Sequence, residues 1–319
     1  MDKVLITGGS GFSGQYLIRA CLERGFSVTC VARHRPESFK SAPRNLKVLK
    51  IDLTHSGRLA EEIKKLRPRF VFHLAAQSIP RFSWDRPEST FAVNAGSSLH
   101  ILEAVRKFSP QTRILLASSN QVYGRSFRML DQVTERSLLW PENPYAASKI
   151  VAEYACLNYG FRYGTWAVAA RSTNHIGRGQ SDRLVFSEWC RQIALAEAGL
   201  KDPVLEVGNL DAKRDFMHVR DVISAYLCMI QNGKSGQTYN VCTGKVMVLK
   251  KIVAHLCRQA KVRMRVVVRK NRLRKDDPPQ MLASPRRLEK LGWKPRLTVF
   301  DALDEMLSEW RGKIAAGER

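Results

Sequence analysis

Apolar and polar positions alternate with two different periods along the first half of the chain. Short apolar runs that end in glycine or polar residues predict strands at 3–7, 27–32, 47–51, 70–74 and 113–118. Between them, apolar residues recur every three or four positions and predict helices at 12–24, 57–66, 88–108 and 144–162. Strands and helices that alternate at this spacing indicate βαβ units and a parallel sheet. Because such crossovers are right-handed, we expect an α/β fold with a doubly wound sheet.

The regular alternation ends after one further strand at 165–171. Helical spacing then recurs, with irregular segments between, at 181–199, 219–232, 248–260 and 299–314. We therefore predict two parts. The parallel-sheet domain covers 1–171, with segments near 215–245 returning to it, and a smaller mixed α/β lobe is built mainly from 172–214 and 246–319.

Composition excludes several classes of protein. With 319 residues and 44% apolar side chains, the chain is not intrinsically disordered. No apolar run approaches the ~18 residues of a membrane span, and the first residues, MDKVLITGG, predict a strand rather than a signal peptide. The seven cysteines form no CxxC and no Cys/His cluster. They indicate reduced thiols in a cytoplasmic protein and no structural metal site.

The chain is strongly basic, with 53 Lys and Arg against 29 Asp and Glu and a net charge of +24. Nine basic and no acidic residues lie between 258 and 275, and alternation across 265–269 predicts a strand with one exposed face. Three interpretations stay open: a solvated face, a site for an anionic nucleotide, and a nucleic-acid surface. No nucleic-acid-binding motif accompanies the charge, so we do not expect a nucleic-acid partner.

A glycine-rich turn follows the first predicted strand and opens the first predicted helix. Its glycines are Gly8, Gly11 and Gly14, with Phe12 and Ser13 between the last two. Glycines at this spacing allow a tight turn and a close approach to a pyrophosphate, which the helix N-terminus then binds. Because a strand precedes the turn and an amphipathic helix follows it, we predict a dinucleotide-binding (Rossmann) domain.

The end of the second predicted strand indicates which dinucleotide binds. An acidic residue there would bind the ribose 2′-hydroxyl of NAD, but the chain has Arg33 and Arg35. Guanidinium groups suit the 2′-phosphate of NADPH, which we predict as the cofactor, with NADH as the alternative. The other interpretation is two exposed arginines on a loop. Asp52, after the third strand, is predicted to lie on the adenine side of the cofactor.

Tyr145 and Lys149 form the one Tyr-x-x-x-Lys motif of the chain. Asn143 and Pro144 predict a helix start, and residues four apart share a helix face. A nearby ammonium would lower the tyrosine pKa from its usual value of about 10, which suits a general acid or base at a carbonyl. The alternative is a tyrosine and a lysine on a helix surface.

Ser119 lies at the end of the fifth predicted strand, where side chains of parallel sheets face the ligand crevice. It is predicted to hydrogen-bond the reacting oxygen, unless the serines merely cap a polar strand end. Tyr123 has no lysine partner at helical spacing and is predicted to be structural.

These motifs together resemble the extended short-chain dehydrogenase/reductase family over nearly the whole chain. They are TGGSGFSG, HLAAQS at 73–78, ASSNQVYG at 117–124 and NPYAASK at 143–149. The later segments RSTNHIGRGQ, VGNLDAKRDFMHVRDVISAY, YNVCTGK and LGWKP are similar to the GDP-mannose branch. That branch contains GDP-mannose 4,6-dehydratases and the reductases that act on their 4-keto product.

The resemblance implies roles for individual residues. Ser119, Tyr145 and Lys149 match the catalytic residues. The implied cofactor-binding residues are Gly8, Gly11, Phe12, Ser13, Gly14, Arg33, Arg35, Asp52, Leu53, Leu74, Ala75, Ala76, Asn94, Tyr145, Lys149 and Arg171. The implied substrate-binding residues are Gln77, Ser78, Ser119, Asn120, Gln121, Asn174, Arg214, Arg274 and Asp277. The expected partners are a GDP-sugar and a second copy of the chain, paired through helices 88–108 and 144–162, with no membrane partner.

Gln121 separates the two activities of the branch. In the dehydratases, a glutamate two residues after the catalytic Thr/Ser exchanges protons at C5 and C6, and an amide cannot do so. Reduction at C4 needs only Ser119, Tyr145 and a hydride, so the sequence favours a C4-ketone reductase that uses NADPH. The alternative enzymes are a dehydratase and a C4 epimerase. A non-catalytic nucleotide-sugar-binding or nucleic-acid-binding protein is the alternative of another class, and the Tyr–Lys pair argues against it.

Overall fold

The computed structural model describes residues 1–33, Phe39, 43–273 and 278–318. Three residues predicted to bind ligands, Arg35, Arg274 and Asp277, lie outside the described residues.

Strands are numbered in chain order within the described residues. They are β1 Lys3–Thr7, β2 Ser27–Ala32, β3 Leu46–Lys50, β4 Phe70–His73, β5 Arg113–Ala117, β6 Ala167–Ser172, β7 Asn174–Ile176, β8 Val204–Val207, β9 Lys213–Arg214, β10 Phe216–His218, β11 Gln237–Val241, β12 Met247–Val248, β13 Arg265–Val268 and β14 Gln280–Met281.

The helices are numbered in the same way. They are α1 Phe12–Glu23, α2 Ser56–Leu66, α3 Pro80–Asp85, α4 Pro87–Phe91, α5 Ser97–Phe108, α6 Ser126–Met129, α7 Pro144–Tyr163, α8 Val185–Glu197, α9 Val219–Asn232, α10 Leu249–Gln259, α11 Arg286–Glu289 and α12 Val299–Ala315.

Seven parallel strands form the central sheet in the order β11-β6-β5-β4-β1-β2-β3. The chain runs outward from β1 to β3, then restarts at β4 and runs outward the other way, so the strand order reverses between β1 and β4. Ligands of doubly wound sheets bind at the carboxyl ends of strands beside such a reversal. The predicted doubly wound fold is confirmed, and β11 returns to the sheet from the predicted segment near 215–245.

The sheet has an apolar layer on each face because successive side chains of a strand point to opposite sides. Val4 and Ile6 pack with α1 and α9, whereas Leu5 packs with α2, α5 and α7. A separate core joins α8, α10 and α12 with β8, around Trp189, Leu256 and Met306. This second core holds together the part of the chain that the sequence predicts as the smaller lobe.

One predicted helix, 88–108, differs in its local structure. The structure has α4, one π-helical turn at Ala92–Gly96, and α5. The wider turn carries Asn94, whose side chain bonds outside the helix. Such turns insert an extra residue into a helix and often occur near functional sites. Among the described residues, no helix is long and apolar enough to cross a membrane.

Candidate active site

The glycine turn between β1 and α1 brings backbone N–H groups to the carboxyl end of the sheet. Gly8 has φ +69°, and a Cβ there would lie 2.6 Å from the backbone nitrogen of Ala75. A Cβ on Gly14 would collide with the carbonyl oxygen of Gly8. Gly11 starts α1 without a side-chain cap, and the first turn holds no acidic residue. The N–H groups of Phe12, Ser13 and Gly14 are thus available to an anion, which fits the pyrophosphate of a dinucleotide.

Residues after β2 and β3 line the same edge of the sheet. Arg33 is exposed directly after β2. Asp52 accepts hydrogen bonds from the backbone N–H and hydroxyl of Thr54 at 2.9 and 2.7 Å. These bonds, backbone first, lower the pKa of Asp52 and keep it ionised. Leu53 is buried beside it, so an anionic acceptor and an apolar contact lie where the adenosine part of the cofactor is predicted.

The segment after β4 carries Leu74, Ala75, Ala76, Gln77 and Ser78. The side chain of Gln77 is hydrogen-bonded within its own loop. Its Nε2 donates to the carbonyl of Ile79 at 2.9 Å, and its Oε1 accepts from the N–H of Ile79 at 2.6 Å. Ser78 is exposed. The loop therefore has a fixed conformation next to the glycine turn.

The side chain of Asn94, a predicted cofactor-binding residue, is hydrogen-bonded within the protein. Its Oδ1 accepts from the backbone N–H of Gln77 at 2.8 Å, and its Nδ2 donates to the Gln77 carbonyl and to Ser148 Oγ at 3.2 and 2.9 Å. Both amide hydrogens already have protein acceptors. Asn94 thus clamps the Gln77 loop to α7, and its contact with the cofactor stays a prediction.

The three predicted catalytic residues come together at the carboxyl end of β5. Ser119 follows the strand, and Tyr145 and Lys149 lie on the first turns of α7, all three of them buried. Pro144 starts α7, and Asn143 caps it, since its Oδ1 accepts from the N–H of Ala146 at 2.8 Å. This cap fixes the turn from which the Tyr145 side chain reaches Ser119.

The electrostatics of Tyr145 differ from the sequence prediction. Burial raises its pKa, and a hydrogen bond with the Ser119 side chain opposes this only in part. Lys149 Nζ donates instead to the carbonyl of Ala117 at 2.8 Å, and burial lowers the lysine pKa to about 8. The prediction that Lys149 lowers the pKa of Tyr145 is therefore wrong for this structure. A phenol with a raised pKa stays protonated at neutral pH, which is the form a proton donor needs.

Asn120 and Gln121 face the same region from a 3₁₀ turn after Ser119. Asn120 Nδ2 donates to Thr173 Oγ1 at 3.3 Å, and Gln121 Oε1 accepts from Asn143 Nδ2 at 3.4 Å. Gln121 thereby contacts the residue that caps the catalytic helix. An amide therefore lies at the position where the resemblance implies a carboxylate in the dehydratases.

The loop that follows carries two carboxylates, Glu135 and Asp131, and neither is shown in contact with the catalytic residues. Glu135 Oε1 accepts from the backbone N–H of Asn240 at 2.9 Å. Asp131 is exposed and lines an open cleft of about 430 Å³ with Lys213 and Gln280. None of Ser119, Gln121 and Tyr145 lines that cleft.

Arg171, another predicted cofactor-binding residue, holds its guanidinium in a buried ion pair with Glu153. Its Nε donates to the two carboxylate oxygens of Glu153 at 3.1 and 3.0 Å, and its Nη2 also contacts this carboxylate. Its Nη1 donates to Tyr123 Oη and to the Glu135 carbonyl. Sequence reasoning missed Glu153, although it lies one helical turn beyond Lys149. Tyr123 is buried and donates to Asn240 at 2.6 Å, so its contacts agree with the structural role predicted for it.

The two described residues predicted to bind the nucleotide differ in exposure. Asn174 is exposed on β7. Arg214 is buried on β9, and its Nη1 donates to the carbonyl of Lys213 at 2.8 Å. Within the described part of the chain, no group of three acidic, histidine or cysteine side chains is placed to hold a metal ion.

The family model for GDP-mannose 4,6 dehydratase matches residues 5–306. The chain belongs to this family. As a member of the GDP-mannose 4,6-dehydratase family, it is an enzyme of the NAD(P)-dependent nucleotide-sugar group within the extended short-chain dehydrogenase/reductases, as its motifs predict.

Individual relatives within the family carry both activities. A GDP-6-deoxy-D-mannose reductase of Pseudomonas aeruginosa is 33% identical over 314 residues, covering 98% of each chain. A GDP-mannose 4,6-dehydratase of Yersinia enterocolitica is 28% identical over 354 residues, covering 97% of this chain and 93% of the other. The structure of RMD from P. aeruginosa complexed with NADPH matches with a TM-score of 0.83 and 31% identity, covering 98% of this chain and all of the other.

Proposed function

We propose that the protein reduces the C4 ketone of GDP-4-keto-6-deoxy-D-mannose to GDP-D-rhamnose with NADPH. The observation that carries this proposal is that an amide, Gln121, stands where elimination needs a carboxylate, at the same strand end as the buried Tyr145. The 33% identical reductase of P. aeruginosa supports the same choice.

The site supplies the groups that this reduction requires. Bound NADPH supplies the hydride that reaches C4. Ser119 hydrogen-bonds the ketone oxygen, and Tyr145 passes its phenolic proton to that oxygen as negative charge develops. Lys149, fixed by the Ala117 carbonyl, keeps a positive charge in the buried site. The products are an alcohol at C4 and oxidised cofactor.

The remaining predicted residues are proposed to bind the two ligands. Residues 1–171 and the segments near 215–245 form the cofactor domain, and 172–214 with 246–319 form mainly the substrate lobe. In the substrate lobe, Asn174 and Arg214 bind the diphosphate and nucleoside of the GDP-sugar, together with Arg274 and Asp277. Gln77, Ser78, Asn120 and Gln121 surround the sugar. All seven cysteines are free thiols, which supports a cytoplasmic location.

A direct test follows NADPH consumption with two GDP-sugars. We expect the purified protein to oxidise NADPH with GDP-4-keto-6-deoxy-mannose and not with GDP-mannose, which offers no ketone. If the protein oxidises NADPH with neither sugar, under conditions in which the P. aeruginosa reductase is active, the proposal is contradicted.

Replacing Arg33 with alanine is expected to weaken NADPH binding much more than NADH binding, because only NADPH presents a 2′-phosphate. Titration of both cofactors by calorimetry measures the two losses. Arg24→Ala is the matched control, since Arg24 directly follows α1 and donates to the carbonyl of Ala20, away from the end of β2. Equal losses for NADPH and NADH in Arg33→Ala would show that Arg33 does not select the cofactor.

The wild-type protein is expected not to convert GDP-mannose to its 4-keto-6-deoxy product, because no proton-exchanging group stands at position 121. Formation of that product is measured by its absorbance in alkali, with the Y. enterocolitica dehydratase as the positive control. Gln121→Glu restores a carboxylate at nearly the same volume, and we expect it to add weak elimination activity. Robust dehydration by the wild type would contradict the reductase proposal.

We also propose that two copies pair through α5 and α7, as in the family. The outward side of α7 exposes Val151, Tyr154 and Phe161, of which Phe161 is 93% exposed, and α5 exposes Leu99. Exposed apolar side chains in one region are typical of an interface.

Tyr154→Glu is expected to convert the proposed dimer to monomers in light scattering, because it introduces a charge into the interface. Leu200→Glu, at an exposed leucine after α8, is the control that should stay dimeric. A wild-type protein that is monomeric at assay concentration would contradict this proposal.

A further inference from the structure

Residues 173–178, which include β7, lie directly on the first turns of the cofactor helix α1. Ser13 Oγ and His175 Nε2 are 2.7 Å apart. The rings of Phe12 and His175 are stacked, with centroids 6.0 Å apart and planes 9° apart. One turn further along α1, Tyr16 Oη donates to the carbonyl of Arg178 at 2.7 Å. The helix that is proposed to bind the pyrophosphate therefore holds a strand of the substrate lobe.

The direction of the Ser13–His175 hydrogen bond follows from the other ring nitrogen. His175 Nδ1 lies 3.2 Å from the carbonyl oxygen of Thr173, which can only accept, so Nδ1 carries the hydrogen. Burial lowers the pKa of His175, so the ring is neutral and Nε2 accepts from the Ser13 hydroxyl. The Ser13 hydroxyl hydrogen is then used within the protein. Only its backbone N–H, in the first turn of α1, is left for a phosphate.

Strand β7 connects His175 to the residues proposed to bind the nucleotide sugar. Asn174, the neighbour of His175, is exposed. In the parallel pair of β7 and β10, Asn174 lies opposite Phe216, two residues after Arg214. Gln180 Nε2 also donates to the His175 carbonyl at 3.0 Å. A shift of His175 would therefore move Asn174 and the strand that follows Arg214.

We propose that His175 is a positioning residue that links cofactor binding at α1 to the order of β7, and through β7 to the affinity for the GDP-sugar. A cofactor that binds the N–H of Ser13 fixes the Ser13 side chain, which fixes the His175 ring and the backbone of β7. The step to the GDP-sugar rests on the proposed function, whereas the step from cofactor to β7 does not.

Hydrogen exchange with NADPH as the only ligand tests the first step. We expect NADPH to slow amide exchange in residues 173–180 of the wild type about fivefold or more, a coupling of ordinary size. The slowing should be lost in Ser13→Ala, which keeps the backbone N–H, and in His175→Phe, which keeps a ring to stack on Phe12. The double variant leaves no unpaired polar side-chain atom in the Ser13–His175 pair, and its melting temperature, measured beside the exchange, separates loss of the effect from misfolding.

Tyr16→Phe is the matched control. It removes the other 2.7 Å hydrogen bond between α1 and the 173–178 segment, at the same separation of 162 residues, without touching His175. We expect it to retain the NADPH-dependent slowing. No slowing in the wild type, equal slowing in wild type and Ser13→Ala, or loss in Tyr16→Phe would each overturn the proposal.

Calorimetry with GDP tests the second step. NADPH should tighten GDP binding to the wild type about fivefold or more, and Ser13→Ala should bring this ratio close to one. A ratio that Ser13→Ala leaves unchanged would overturn the link to the GDP-sugar. A wild type that binds no GDP would contradict the proposed function, while the exchange result with NADPH alone would still decide the role of His175.

Discussion

Replacing Tyr145 with phenylalanine is expected to reduce turnover about 10²-fold or more while NADPH binding persists. The substitution removes only the phenolic hydroxyl, which is proposed to donate the proton to the C4 oxygen. Tyr145 is buried and hydrogen-bonded with Ser119. A water molecule is therefore not expected to take the place of the lost hydroxyl as proton donor. Steady-state kinetics with GDP-4-keto-6-deoxy-mannose measure the loss, and NADPH titration checks that the cofactor site is intact.

Tyr163→Phe is the matched control for this variant. Tyr163 ends the same helix, is exposed, and lies far along it from the predicted site, so removing its hydroxyl should leave turnover unchanged. Turnover of Tyr145→Phe near the wild-type value would show that the proton comes from another group, and the assignment of Tyr145 would be lost.

Replacing Arg171 with methionine is expected to lower the free energy of unfolding by about 3–5 kcal/mol. The change leaves the Glu153 carboxylate buried without its guanidinium partner, and only Ser118 Oγ, which donates at 3.1 Å, remains bonded to it. Urea denaturation measures the difference. The double variant Glu153→Leu/Arg171→Met removes both charges and is expected to recover most of the loss.

An ion pair with one exposed partner provides the control for the Arg171 variant. Lys47 and Glu62 are 3.5 Å apart, and the lysine side chain is 63% exposed. Lys47→Met should cost less than about 1 kcal/mol, since water solvates the largely exposed lysine and weakens the pair. If Arg171→Met cost no more than Lys47→Met, the buried pair would not stabilise the fold as its geometry indicates.

The sequence predicts those features that depend on local pattern. Strand β1 follows from an apolar run that ends in glycines, and β13 follows from the alternation at 265–269, where the structure has Arg265–Val268. The approach of Ser119 to Tyr145 follows from the carboxyl-end rule of parallel sheets together with the helix start at Asn143 and Pro144.

Features that depend on long-range contacts are not visible in the sequence. The side-chain amide of Asn94 hydrogen-bonds the backbone of Gln77 and the hydroxyl of Ser148, which is 54 residues from Asn94 in the sequence. Arg171 pairs with Glu153, and no motif connects the two. Spacing correctly places Lys149 one turn after Tyr145, but the effect of burial on the two pKa values depends on the packing around α7.

The transfer of a labelled hydride tests the central claim most directly. The purified protein is incubated with GDP-4-keto-6-deoxy-mannose and NADPH deuterated at the transferable position, and the sugar product is identified by NMR. We expect GDP-D-rhamnose with deuterium at C4. A sugar without deuterium at C4, or a protein that leaves the ketone unchanged and instead dehydrates GDP-mannose, would contradict the account.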